Sequence, residues 1–492
     1  MDLDLFTVAD GLNDNDLHQK FKLLRDENFF YSGAKKILQL WVNGFIDRDN
    51  KIVKEFQTTF HSVLWELYIY SVLKESNFCI DFSKEFPDFI VLSPCEFNIE
   101  CVVSEIKRDG DSEDKRELDD VLSMIDPILT QDEFDNLINE AITRHSNSIL
   151  QKNKKYVTQY SKYNWVKNST PYAIALGSYD QIRYGKEYYY SMMSLLYGLH
   201  YDIETKEYTR IKEITKPRSN SPISVGLFTN SDYENISAVI FSCTATLGKL
   251  VSLAVSSGLD GHGLNSVISV HHDSEDSLYK IKYVCPETPE YLSDGLFIFH
   301  NKFAKNRLPF DVFKSTNAIQ FEYDDRGLKC EGENLPIVGR VHLPKMFIPN
   351  ENALHLLAGE VFRKYNHHAI IRYNEEVEII SQTFLQIPQS FPLDTEYSKL
   401  ANMLSFQIKI LTSLYRKSVT SVYIAALKMQ TFSHKTLIDR TNLSASTVRK
   451  ALKTLSSLGF VTQVNKGGQY KKYTCTVFLK LLAAPAENSS SS

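Results

Sequence analysis

Residues 86–103 read FPDFIVLSPCEFNIECVV. Two apolar runs, Phe89-Ile90-Val91-Leu92 and Phe97 to Val103, flank Ser93-Pro94-Cys95-Glu96, whose composition is that of a turn, so the stretch predicts a β-hairpin. Each strand carries one carboxylate, Asp88 where the first strand opens and Glu100 inside the second. Strand side chains alternate, which lets Asp88 and Glu100 point to one face near the same level, close enough to share a divalent cation. Two acidic oxygens with an open coordination position are what Mg²⁺ needs to bind a phosphate and lower the pKa of an attacking water.

Just upstream, residues 56–78 read FQTTFHSVLWELYIYSVLKESNF. From Val63 to Leu73 this segment is apolar or aromatic except at Glu66 and Ser71, and a helix so apolar all round is normally buried. A carboxylate is rarely buried without a partner, so Glu66 is a candidate third acid, the alternative being a place at the helix rim. A helix-borne Glu, then Pro-Asp opening a strand, then a Glu in the next strand resembles the PD-(D/E)xK nuclease superfamily, which includes many restriction endonucleases. The resemblance covers about residues 50 to 180 and rests on a short, degenerate motif. It implies a restriction endonuclease-like α/β fold, a mixed sheet flanked by helices, with Asp88 and Glu100 as ligands of Mg²⁺, for which Mn²⁺ could substitute.

The chain departs from that pattern at the lysine, which in the superfamily sits two residues after the Glu and helps orient the nucleophilic water. Val102 occupies that position here. The literal spelling occurs later as Glu105-Ile106-Lys107, but Glu105 has the opposite strand parity to Glu100 and lies where the chain turns polar. A relocated lysine from the helix containing Gln151, Lys154 and Lys155 is the reading preferred here. Loss of the lysine, leaving a nuclease fold that only binds, is the third option.

Further along, Thr170 to Gly177 predicts a strand after that basic helix. The segments Leu196-Tyr197-Gly198, Val225 to Phe228, Ile236 to Ser242 and Gly295 to Asn301 with Leu308-Pro309 resemble a group of uncharacterised bacterial proteins. These share a Trp-Glu-Leu-Tyr helix, a Pro-Asp-Phe strand and an Ile-Glu strand without the usual lysine. That likeness runs over about residues 55 to 312 and carries no known substrate with it.

The chain's formal net charge of -5, from 55 Lys and Arg against 60 Asp and Glu, conceals a sharp division. Residues 405–480 contain thirteen basic residues and the single acid Asp439, a charge of 13 - 1 = +12, so the remainder carries -5 - 12 = -17. Such asymmetry suggests an appended nucleic-acid module, because Lys and Arg supply most non-specific affinity for phosphates. Within it, Ser433 can cap a short helix, and Ser444 or Ser446 can cap a second with Val448, Leu452, Leu455 and Leu458 at helical spacing. FVTQVNKGGQYKKYTCTVF then alternates around a Lys-Gly-Gly turn. Helix, turn, helix and basic hairpin resemble a winged helix-turn-helix. That implies Ser444, Ser446, Thr447, Arg449, Lys450 and Lys453 facing bases and phosphates, with Lys466, Lys471 and Lys472 on the wing holding the backbone. The alternative is a winged helix used for protein contact.

With 492 residues, 43% hydrophobic and 23% charged, composition is that of a globular protein of about two to four domains. No apolar run reaches roughly 18 residues, and the acidic start MDLDLFTVAD is unlike a signal peptide, so a cytoplasmic location is expected. Seven scattered cysteines without a Cys-x-x-Cys pair disfavour a disulfide framework or structural zinc. The adjacent pairs His271-His272 and His367-His368 cannot easily chelate. Gly248-Lys249 is followed by Leu250 where a phosphate loop needs Ser or Thr, so no nucleotide cofactor is expected.

The expected organisation is a helical segment at 1–50, a nuclease-like core at 51–314, a connecting α+β subdomain at 315–403, a winged helix at 404–482 and a disordered tail at 483–492. The expected activity is Mg²⁺-dependent cleavage of double-stranded DNA. Restriction or antiviral defence is its role by analogy, with a homodimer as the common arrangement of duplex cutters. The rival is a catalytically inactive DNA-binding regulator on the same fold.

Overall fold

The computed structural model describes residues 3–26, 29–104, 113–115, 127–128, 130–179, 185–203, 205–217, 219, 221–260, 263–273, 278–332, 335–345, 351–366, 417–429, 431–457, 460–464 and 471–475. Its central feature grows from the hairpin. Phe89–Ser93 (β2) and Phe97–Val103 (β3) pair antiparallel in the register Phe89↔Ile99, Ile90↔Asn98 and Val91↔Phe97. Cys79–Asp81 (β1) flanks β2, and Tyr172–Gly177 (β4), Ala238–Ser242 (β5), Phe297–His300 (β6), Ile319–Asp324 (β7) and Gly327–Glu331 (β8) extend the sheet in chain order. The sheet is mixed: β3–β4, β4–β5 and β6–β7 run parallel and the other neighbours antiparallel.

Period-two alternation divides the side chains of β4 between two apolar layers. Ala173 and Ala175 face a cluster that holds Trp41, Leu64, Trp65 and Tyr68, whereas Tyr172, Ile174 and Leu176 face one that holds Ile138, Ile142, Ile149 and Met192. The first layer is built from α1 (Gln19–Arg25), α2 (Ser32–Val42), α3 (Ile52–Thr58), α4 (His61–Glu75) and, later in the chain, Leu247–Ser256. The second contains α5 (Gln131–Thr158) and α6 (Tyr190–Tyr197). The fold is therefore α/β, a mixed sheet with helices on both faces.

Two helices are pinned to the sheet by polar contacts as well as by packing. In α4 the Trp65 indole N–H donates to the Ala175 carbonyl at 2.9 Å. In α5 the Arg144 guanidinium donates to Ser104 Oγ at 3.0 Å and Ser178 Oγ at 3.2 Å, two hydroxyls just past the ends of β3 and β4. The neighbouring His145 Nδ1 lies 3.2 Å from the same Ser104 hydroxyl.

The divisions expected at residues 50 and 314 are not where the chain divides. Leu5, Phe21, Leu24, Leu38 and Trp41 are buried in the same cluster as α4, because the apolar stripes of the first helices have no other core to enter. The runs read as a connecting subdomain complete the body: β7 and β8 are sheet strands, and Ile337–Pro344 pairs with Asn265–Asp273. One compact unit comprises Met1–His272 and Ile281–Tyr365, and a second comprises Asp273–Lys280 and Asn366–Ser492. The later part of the expected connecting subdomain (367–403), with the apolar runs AIIRYN (369–374) and VEIISQ (377–382), the expected tail at 483–492 and the Lys-Gly-Gly turn lie outside the described residues.

In the second unit, α7 (Lys417–Leu427), α8 (His434–Thr441) and α9 (Ala445–Ser457) pack with a three-stranded antiparallel sheet. Its strands are β9 (Phe432–Ser433), β10 (Val461–Gln463) and β11 (Lys472–Cys475), with β11 between the other two. Ser433 accepts the Thr436 N–H in a capping box, and Ser444 accepts the Thr447 N–H at 3.2 Å, so each serine closes the start of its helix. Asn442 stops α8 in the left-handed conformation, which Asn tolerates better than most residues. Leu437, Val448, Leu452 and Leu455 form the core with Val422 and Tyr423. Among the described residues no helix is long and apolar enough to cross a membrane.

Candidate active site

Continuing the β2–β3 register by one residue sets Asp88 opposite Glu100. Asp88 lies just before β2, where its Oδ2 accepts the Cys101 N–H at 2.6 Å, and Arg48 steadies the approach by donating to the Asp88 carbonyl at 3.1 Å. Glu100 is 1% exposed in the middle of the sheet. Its Oε1 receives Lys152 Nζ at 2.7 Å, Lys155 Nζ at 3.2 Å and the Tyr160 hydroxyl at 3.0 Å. Its Oε2 is buried and accepts no hydrogen bond from the described residues. An unsatisfied carboxylate oxygen in a buried site is costly, so the atom is suited to a ligand that supplies positive charge.

Glu66 comes from α4, half-buried on a helix whose other central residues are buried. Burial, and after it the negative charge of Asp88, push the Glu66 carboxyl up to about 8. Burial, with Glu100 second, pushes Asp88 up to about 7. Lys152 responds in the opposite sense: burial acts to lower its pKa, but the charge and hydrogen bond of Glu100, helped by Asp88, outweigh it and raise the value. Asp88 thus feels Glu100 and Glu66 feels Asp88, and the cations acting on these acids are Lys152 and Lys155 of α5 and Arg48 from the loop before α3.

The sequence-derived set is only partly brought together here. Lys155 reaches Glu100, but Lys154 is exposed on the other side of α5, and Lys107, with Glu105 and Ile106, lies outside the described residues. Lys152 and Tyr160 were not among the expected residues. A signal for Lys152 was available, because Ile149, Lys152 and Tyr156 are spaced i, i+3, i+7 and share the inward face, from which Lys154 is turned roughly 200° about the helix axis. Tyr160 follows the helix in a short 3-10 turn, and nothing in its local sequence distinguishes it from neighbouring tyrosines.

Among the described residues no three His, Cys, Asp or Glu side chains form a cluster able to hold a metal by themselves. What does meet is a pair of carboxylates opposed across a hairpin, one with a buried open oxygen. That donor set fits Mg²⁺, which usually takes one or two carboxylates and keeps its remaining positions for water and phosphate.

On the second unit, Ser444, Ser446, Arg449, Lys450 and Lys453 are exposed along α9, and Thr447 is half-buried. Lys471 and Lys472 are exposed at β11, while Lys466 lies outside the described residues. The exposed cations thus occupy the helix and the strand that the sequence pattern singled out.

No protein-family model, curated protein or solved structure matches this chain.

Proposed function

We propose that the protein is a divalent-metal-dependent deoxyribonuclease of the PD-(D/E)xK, restriction endonuclease-like type, with its motif lysine relocated to Lys152 on α5 and a C-terminal winged helix that grips duplex DNA. The carrying observation is Glu100, buried in the sheet, opposed by Asp88, paired with Lys152 and left with one open oxygen. Asp88 and Glu100 would hold Mg²⁺, which when bound supplies charge stabilisation for a phosphate and a more acidic water. Lys152, positively charged and fixed by Glu100, is positioned to hold a water by hydrogen bonding; Lys155 adds a second cation. Glu66, pushed up to about 8 and so mostly protonated at neutral pH, would stand beside the metal pair as a carboxylic acid able to give up a proton. In the second unit, Arg449, Lys450 and Lys453 on α9 are exposed for DNA, with Lys471 and Lys472 for its backbone. Defence against foreign DNA remains an inference by analogy.

The test is cleavage of plasmid DNA by the full chain in Mg²⁺ against EDTA. Wild type is expected to nick or cut. Asp88→Asn and Glu100→Gln should lose at least about 100-fold, and Lys152→Met about as much, whereas Lys154→Met should cut like wild type. Equal activity of wild type and Glu100→Gln would sink the proposal. A second reading, an inactive nuclease fold serving a DNA-binding regulator, draws on the same geometry: Lys152, Lys155 and Tyr160 all converge on Glu100 Oε1 and partly neutralise it without a metal. It predicts binding that survives loss of Asp88 and Glu100 and no Mg²⁺-dependent cutting.

A further inference from the structure

Beside the carboxylates, at the edge of the second apolar layer, stands a group of aromatic rings: Tyr160 is buried in that layer, Phe86 and Trp165 pack against it, and Tyr163 lies outside it. Phe86, two residues before Asp88, stacks on Tyr160 with centroids 5.1 Å apart and planes 11° apart. Tyr163 and Trp165 meet Phe86 at 4.6 and 5.5 Å and each other at 4.6 Å. The rings are held rigidly, since the Trp165 indole N–H donates to the Phe86 carbonyl at 3.1 Å and the Tyr160 hydroxyl to Glu100. Tyr163, the outermost, is 40% exposed. Cations rim the group: Lys155 Nζ lies 4.8 Å from the Tyr160 ring centre, and Lys84 Nζ 5.8 Å from that of Trp165.

A preorganised aromatic group that opens to solvent at Tyr163, edged by lysines and tied to Glu100 through Tyr160, has the composition of a nucleobase platform: rings for the base and ammonium groups for the adjoining phosphates. A base inside a continuous duplex offers no free face, so stacking here requires the nucleotide to leave its helix. Resting on the nuclease reading above, we propose that this shelf receives an unstacked base next to the phosphate to be cleaved. The substrate class is therefore DNA that is single-stranded or locally opened, as at a mismatch or a bulge, even where the second unit holds flanking duplex.

The experiment uses the full chain and synthetic DNA carrying the fluorescent base analogue aminopurine at a mismatch or in full pairing. Binding is read in EDTA by quenching, and cutting in Mg²⁺. Wild type and Tyr163→Phe are expected to quench the mismatched base. Tyr163→Ala, and Tyr163→Leu, which keeps apolar bulk without a ring, should lose the quenching and weaken engagement of opened DNA by about 5- to 150-fold. In Mg²⁺ the mismatched DNA should be cut in preference to the fully paired. Equal quenching by Tyr163→Ala and wild type, or equal cutting of paired and mismatched DNA, overturns the shelf while leaving the nuclease reading intact. Tyr163-dependent quenching without any Asp88-dependent cutting supports the shelf and removes the nuclease.

Discussion

Protonation of two acids governs the candidate site at the scale of single residues. Asp88 and Glu66, pushed up to about 7 and about 8, are partly protonated near neutrality, and a cation binding there must displace those protons. Affinity for Mn²⁺, measured by calorimetry, should therefore rise with pH from below about 7 to above about 8, with proton release detectable in buffers of different ionisation heat. The sign for stability is opposite. Both folded values exceed the unfolded ones near 4, so the contribution is fully present below about pH 4 and is lost as pH rises through 7 and 8. Metal-free protein should show a falling melting temperature across that window, and Asp88→Asn should flatten it. A flat wild-type profile would show that these carboxyls are ordinary.

Among the elements, α4 depends on one bond that packing alone does not replace. Trp65→Phe removes the donor to the Ala175 carbonyl and leaves a void between helix and sheet, so urea unfolding of the main body should register a loss of about 2 to 3 kcal/mol. A loss below about 0.5 kcal/mol would mean that water replaces the indole. The hairpin β2–β3 was legible in the sequence because its signal is local: apolar runs around a Ser-Pro turn, with strand alternation that puts Asp88 and Glu100 on one face. Lys152 was obscured because three lysines within four residues look alike until the buried face of α5 is known. The strands β7 and β8 were not legible as members of the main sheet, since pairing between β6 and β7 is decided by contacts far apart in sequence.

For the molecule as a whole, the two compact units carry charge of opposite sign, and each can be probed by what salt does to binding. Removing Arg449 and Lys450 together should flatten the dependence of log K on log salt by about 2 if both neutralise phosphates, as measured by fluorescence anisotropy on a duplex. Asp88→Asn should leave that slope unchanged. An unaltered slope in the double variant would assign the exposed face of α9 to some partner other than DNA.

The 28 residues of α5 also set a distance. Arg144 fixes the helix against Ser104 and Ser178, and Lys152 meets Glu100 eight residues further on, about 12 Å along the axis at 1.5 Å per residue. The helix thus acts as a gauge rod held at two marks. Adding or deleting one residue between them would swing the lysine by about 100° and shift it about 1.5 Å, so this interval does not tolerate a change of length.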